Sequence, residues 1–172
     1  SIGMKRLFFA LWPDQNTRRQ CRQLSAGMRG FGKPVAANNL HVTLVFLGLV
    51  DAAGQQAMSK AAGRIAVEPF CLTFERIEFW QKPAVVCLRA ERADTVLSAW
   101  VEKLTVAALE NGISVDERPY KPHVTLLRKA KQLPSAEFEP IIWRAEGFCL
   151  VESCSTPEGV EYRVLERWGL AA

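Results

Sequence analysis

The sequence predicts an α+β fold built on antiparallel sheet and arranged as two pseudo-symmetric lobes. Three observations lead there. Strand-like runs follow one another directly while the helical segments stand apart, whereas a doubly wound fold would alternate strictly. The order of elements repeats loosely about the midpoint: strand, helix, strand, helix, then strands, helix, strand, strands. The only two histidines of the 172-residue chain head the same tetrapeptide, His41-Val42-Thr43-Leu44 and His123-Val124-Thr125-Leu126, 82 positions apart. Outside these motifs the halves diverge too far for a solenoid repeat.

Lys5 to Trp12 is rich in aromatic and branched residues and stops at Pro13-Asp14, a strand followed by a helix with Asp14 as N-cap. The helix runs to about Met28 with Thr17, Cys21, Leu24 and Met28 as its buried stripe and Arg18, Arg19, Arg22 and Gln23 on the wet side. Gly30 and Gly32 release the chain, and Asn38-Asn39 lead into a strand from Leu40 to Leu47 that Gly48 ends. Asp51 caps an alanine-rich helix to about Ala66. Phe70–Trp80 and Ala84–Ala90, separated by Gln81-Lys82-Pro83, read as a hairpin. Asp94 opens a helix with Leu97, Trp100, Val101, Leu104 and Ala108 on one face and Gly112 as its stop. The second motif strand spans His123 to Lys129. Strands at about Ile141–Cys154 and Val160–Trp168 close the chain, with Thr156–Gly159 as their turn.

Composition narrows the function classes. Nearly half the residues are hydrophobic and 23% are charged, which is globular composition sufficient for one well-cored unit, expected over residues 4–172. Ser1-Ile2-Gly3 ahead of Met4 reads as the remnant of a cleaved tag. No apolar run reaches membrane-spanning length, and MKRLFFALWP is too short in its apolar part for a signal peptide, so no membrane partner and a cytoplasmic location are expected. Five cysteines without a CxxC pair, beside two histidines, argue against disulfides and a zinc-type cluster. No metal or cofactor is expected, and a monomer is the default. The net charge of +4 favours polyanions such as RNA without requiring them.

The repeated motif carries the chemistry. A lone histidine on a strand is ordinarily a partly buried residue. Chance agreement of the next three residues in both copies, however, is on the order of one in a few thousand at average usage. On a strand, the period of two sets His41 beside Thr43 and His123 beside Thr125, with the apolar residues on the other face. Two such pairs facing each other would enclose a small anion, and a phosphate fits.

The opening RLFFALWPD, the motifs NNLHVTLVFLG and RPYKPHVTLLR, and the ending LVES with GVEYRVLERW together resemble the two-histidine phosphoesterase superfamily. The similarity is to its RNA 2′,3′-cyclic phosphodiesterase branch, also described as 2′-5′ RNA ligases. The resemblance implies a bilobal fold with the two motif strands facing across a central cleft and helices outside. It further implies hydrolysis of a 2′,3′-cyclic phosphate to a 2′-phosphomonoester without metal, with His41 as proton donor to the 3′ oxygen and His123 as proton acceptor from water. Thr43 and Thr125 would bond the non-bridging oxygens. Arg128 falls where this branch carries a basic residue, but strict alternation puts it on the opposite face unless the strand bends or ends there. Tyr120 stands where the pattern accepts an aromatic that can stack on a base, with core packing an equal reading. Phe46, Phe9 and Trp80 have spacing that fits the core better. Lys5, Arg6, Lys33, Lys121 and Lys129 could form an electrostatic rim.

The implied substrate is RNA with a 2′,3′-cyclic phosphate end, tRNA fragments included, or a small cyclic-phosphate nucleotide. The alternatives are end joining, in which a 5′-hydroxyl replaces water, and a non-catalytic module that binds RNA ends or nucleotides. Product analysis separates the first from hydrolysis, and binding without turnover would mark the second.

Overall fold

Alternating apolar residues and three aspartate caps set the framework of the computed structural model, which describes residues 3–92, 94–116 and 118–169. Ser1 and Ile2 of the expected tag remnant lie outside the described residues. The order is β1 (Lys5–Leu11), α1 (Gln15–Ala26), β2 (Lys33–Pro34), β3 (Val42–Val50), α2 (Ala52–Gly63), β4 (Phe70–Trp80), β5 (Val85–Ala90), α3 (Thr95–Glu110), β6 (His123–Arg128), β7 (Ile141–Ala145), β8 (Gly147–Thr156) and β9 (Gly159–Gly169). Each helix begins where the sequence places its cap. The Asp14 carboxylate accepts from Thr17 N at 2.7 Å, Asp51 from Gly54 N at 2.8 Å, and Asp94 from Val96 N at 2.8 Å and Leu97 N at 3.3 Å.

Two antiparallel sheets result, one ordered β3-β1-β8-β9 and the other β2-β6-β5-β4-β7. One continuous core joins them. It takes Leu7, Phe9, Phe148 and Leu150 from the first sheet and Leu72, Phe74, Val86 and Leu88 from the second. Trp100 of α3, 2% exposed, meets Phe70 and Phe148 at ring separations of 5.1 Å each. The helices cross over between the halves: α1 packs on β6 and β7 of the second sheet, whereas α3 packs on β3 of the first.

Two expectations need correction, and one short strand is additional. The run from Ile141 to Cys154 is two strands in different sheets, because β7 alternates buried and exposed residues at an edge while the start of β8 is buried on both faces between β1 and β9. Gly48 does not end its strand. With φ +72 it sits inside β3, where an irregularity opposite Leu7 lets the strand continue to Val50. A two-residue strand, Lys33–Pro34, pairs with the end of β6, too short to be read from pattern and carrying proline as an edge strand tolerates.

Candidate active site

The two motifs fold alike down to an irregularity that alternation alone does not foresee. In β3, Thr43 pairs with Ala10 and Val45 with Phe9, so Leu44 is an extra residue; in β6, Thr125 pairs with Cys87 and Leu127 with Val86, so Leu126 is extra. Each bulge follows the threonine, and each reverses the phase of the strand. Leu44 and Val45 are consequently both buried, as are Leu126 and Leu127. The residue five positions after each histidine then returns to the face that carries the threonine. That residue is Phe46 in the first copy and Arg128 in the second.

The bulge turns Arg128 to the face that carries Thr125, which strict alternation denied it. Its guanidinium is exposed and forms no ion pair among the described residues, and its charge acts on His41. Its backbone is held by Lys33 of β2. A Cβ at Gly32 would lie 2.9 Å from the Arg128 carbonyl oxygen, so the close approach depends on glycine there. Phe46 is 49% exposed, pairs in register with Phe8, and lies outside the core to which its spacing had assigned it.

His41 stands immediately before β3. Its Nδ1 is 2.7 Å from the Asn39 carbonyl oxygen, and its Nε2 is 2.9 Å from Thr43 Oγ1. A carbonyl only accepts, so Nδ1 carries the proton and Nε2 is the unprotonated nitrogen, facing Thr43. The ring lies within an aromatic cage, 5.0 Å from Phe8, 5.7 Å from Trp12 and nearly parallel to it at 20°, and 5.1 Å from Tyr162 edge-on. Burial pushes its pKa down to about 4; the bond to Asn39 opposes the shift, and the charges of Arg128, His123 and Arg18 reinforce it.

His123 repeats the tautomer device, with Nδ1 2.7 Å from the Lys121 carbonyl oxygen. Its surroundings differ. Trp80 covers it at 4.5 Å, and Trp80 Nε1 donates at 2.9 Å to Glu78, which also pairs with Arg89 and Arg76 at 3.3 Å each. Burial lowers the His123 pKa, with Arg89 adding to the effect and the Lys121 bond and Glu78 opposing it. One imidazole therefore sits in an apolar cage and the other over an ionic network.

The remaining candidates fall around this pair. Tyr120 is half-buried against the core, and its hydroxyl, kept protonated by burial, donates to the Thr43 carbonyl oxygen at 2.9 Å. It is thus a strut between the two motifs, and the packing alternative describes its place. Thr125 Oγ1 has only a weak contact, 4.0 Å from the thiol of Cys87, which burial holds at a pKa of about 12. Its hydroxyl is left available. Among the described residues no three His, Cys, Asp or Glu side chains group closely enough to hold a metal ion.

Sequence reasoning missed the residues that surround the histidines. The signal for Phe8 and Trp12 was present in FFALW, where both faces of the strand are apolar and so both must be covered. Arg18 and Arg22 of α1, assigned to solvent, turn inward instead. Arg22 donates to the Val35 carbonyl oxygen at 3.1 Å, and Arg18 donates to those of Ala37, Leu40 and Pro13. Nothing in helical periodicity marks those carbonyls as unpaired.

The arrangement has counterparts among known proteins. Residues 11–87 match the family model described as LigT-like phosphoesterase. The RNA 2′,3′-cyclic phosphodiesterase of Escherichia coli (strain K12) is 34% identical over 170 residues, covering 96% of this chain and 97% of its own. The crystal structure of E. coli LigT in apo form superposes with a TM-score of 0.88 at 33% identity, over 97% of this chain and 98% of that one. E. coli LigT complexed with 3′-AMP gives the same TM-score and identity, covering 98% and 99% of the two chains. With that similarity running through both motifs and nearly end to end, the chain belongs to the LigT-like phosphoesterase family.

Proposed function

We propose that the protein hydrolyses RNA 2′,3′-cyclic phosphate ends to 2′-phosphomonoester ends. The observation that carries this reading is the matched pair of imidazoles, each with Nδ1 held by a backbone carbonyl two residues earlier, which leaves both Nε2 atoms for proton transfer. In the reaction, His123 Nε2 takes a proton from water as its oxygen attacks phosphorus. The bond from phosphorus to the 3′ oxygen breaks, and His41 Nε2–H protonates that oxygen. Thr43 and Thr125 hydroxyls and the Arg128 guanidinium stabilise the charge gathering on the non-bridging oxygens. The nucleobase rests on Phe46, the apolar counterpart of Arg128 in the other half.

His41 is neutral in the free site near neutrality, so it must gain its proton with the substrate. The bound phosphodiester anion offsets the Arg128 charge and raises the imidazole pKa when the acid is needed. On this reading the enzyme is a cytoplasmic monomer acting on RNA fragments, those of tRNA among them. Light scattering should then report a single species near 19.2 kDa.

The test is incubation of a cyclic-phosphate-ended RNA with wild type, His41→Ala and His123→Ala in excess chelator. Wild type should release 2′-phosphate ends, and each variant should lose activity by about 10²- to 10⁴-fold. Full turnover by a folded histidine variant would reject the mechanism, as would a requirement for added metal. A 2′-5′-linked product with a 5′-hydroxyl RNA would redirect the reading to ligation, and tight binding without product to a binding module.

A further inference from the structure

We propose that Arg18 is a positioning residue for the chemistry at His41. It lies outside both motifs, on the first full turn of α1 after the Asp14 cap. Its half-buried guanidinium reaches three segments at once. Nη1 donates to the Ala37 carbonyl oxygen and, at 3.2 Å, to that of Leu40, while Nη2 donates to that of Pro13 at 3.2 Å. Ala37 and Leu40 bracket Asn39, whose carbonyl oxygen fixes the His41 tautomer at 2.7 Å. The fork therefore clamps the turn on both sides of the group that aims Nε2. Arg22 supports the same stretch through Val35.

A second contact runs through the aromatic cage. The guanidinium carbon lies 5.6 Å from the Trp12 ring centroid, and Trp12 stacks on the His41 ring at 5.7 Å. Guanidinium and imidazole thus both rest against one indole, and an ammonium in the place of Arg18 would lack the planar fork and stack less well. Around the imidazole stand Arg18 from α1, Phe8 and Trp12 from β1 and its end, Thr43 from β3, His123 and Arg128 from β6, and Tyr162 from β9. The Arg18 charge also disfavours the imidazolium, so its removal has an electrostatic signature that a scaffold residue would lack.

The effect on turnover rests on the proposed hydrolysis, whereas the effect on the imidazole does not, and the experiment uses both. Full-length Arg18→Gln and Arg18→Lys are compared with wild type by NMR titration of both histidines and by kinetics on a cyclic-phosphate-ended RNA. In Arg18→Gln, the His41 midpoint should rise only slightly, since burial holds it down and the Arg18 charge is the smallest contributor, its ¹⁵N shifts should report a loosened tautomer, His123 should stay put, and kcat should fall by about 10- to 100-fold with KM changed less than about threefold. Arg18→Lys should keep the His41 midpoint near wild type but still lose kcat. A folded Arg18→Gln in which the His41 ring nitrogens keep their wild-type ¹⁵N shifts and tautomer through the titration would overturn the proposal, even if its melting temperature or kcat fell. Should that variant not fold, wild-type kcat in Arg18→Lys would overturn it equally. If wild type itself fails to turn over the RNA, the hydrolase reading fails, and the His41 titration still decides the role of Arg18.

Discussion

His41 and His123 carry the same side chain in the same motif, yet they meet different surroundings, and the consequences are measurable. Folding lowers the His41 pKa from 6.5 to about 4, so the unfolded chain binds more protons between those values. The stabilisation from keeping this ring neutral is fully present above pH 6.5 and is lost as pH falls toward 4, by at most about 3 kcal/mol. Urea unfolding of wild type and His41→Gln across that interval should show the steeper pH dependence in wild type, and parallel curves would contradict the burial argument. Arg128→Ala removes a cation that repels the imidazolium, so the His41 midpoint should rise in NMR titration while phosphate-ended ligands bind more weakly. Thr43→Val removes both the proposed oxyanion donor and the partner of His41 Nε2, with an expected loss of about 10²- to 10³-fold in kcat. The two histidine–threonine pairs of the candidate site were legible as a pair because a repeated tetrapeptide is a strong signal. Arg18, Trp12 and Trp80 were not, since each acts through a contact between segments distant in sequence.

At the scale of elements, caps and apolar runs were the most readable features, because each is a local matter of hydrogen bonding and periodicity. Asp14, Asp51 and Asp94 all cap as their spacing indicated. Bulges were unreadable for a physical reason. Leu44-Val45 and Leu126-Leu127 are apolar pairs, and an apolar pair looks the same whether one member or both face the core. The bulges nevertheless shape the candidate site, since they return Phe46 and Arg128 to the faces that carry Thr43 and Thr125. Gly32→Val should therefore harm activity more than stability: its Cβ would press on the Arg128 carbonyl oxygen from 2.9 Å, and kcat should fall by about tenfold or more for a modest drop in melting temperature. An unchanged kcat would show that β2 does not set the position of Arg128. Trp100→Ala, by contrast, empties the junction between Phe70 and Phe148 and should cost about 3–5 kcal/mol by denaturant unfolding.

The whole molecule uses its pseudo-symmetry to make an asymmetric site. Two alike strands, each with a bulge after its threonine, bring two imidazoles with the same tautomer to one cleft. The rest of each half then distinguishes them: Phe8, Trp12 and Tyr162 around His41, and Trp80 with the Glu78–Arg89 pair beside His123. The proposed acid and base need different environments, and one motif copied twice supplies the difference only through its neighbours. The two-lobed α+β architecture was legible from the order of strands and helices. The crossing of α1 and α3 to opposite sheets was not, nor was the division of Ile141–Thr156 between the sheets, because both are set by which surfaces remain uncovered once the core has formed. The most direct test of the central claim is hydrolysis of a cyclic-phosphate-ended RNA in ¹⁸O-labelled water, followed by phosphorus NMR and mass spectrometry of the product end. A 2′-phosphate carrying one labelled oxygen with wild type, and none with His123→Ala, is the predicted result. A 3′-phosphate product, or equal labelling by the His123 variant, would contradict the assignment of acid and base to these two histidines.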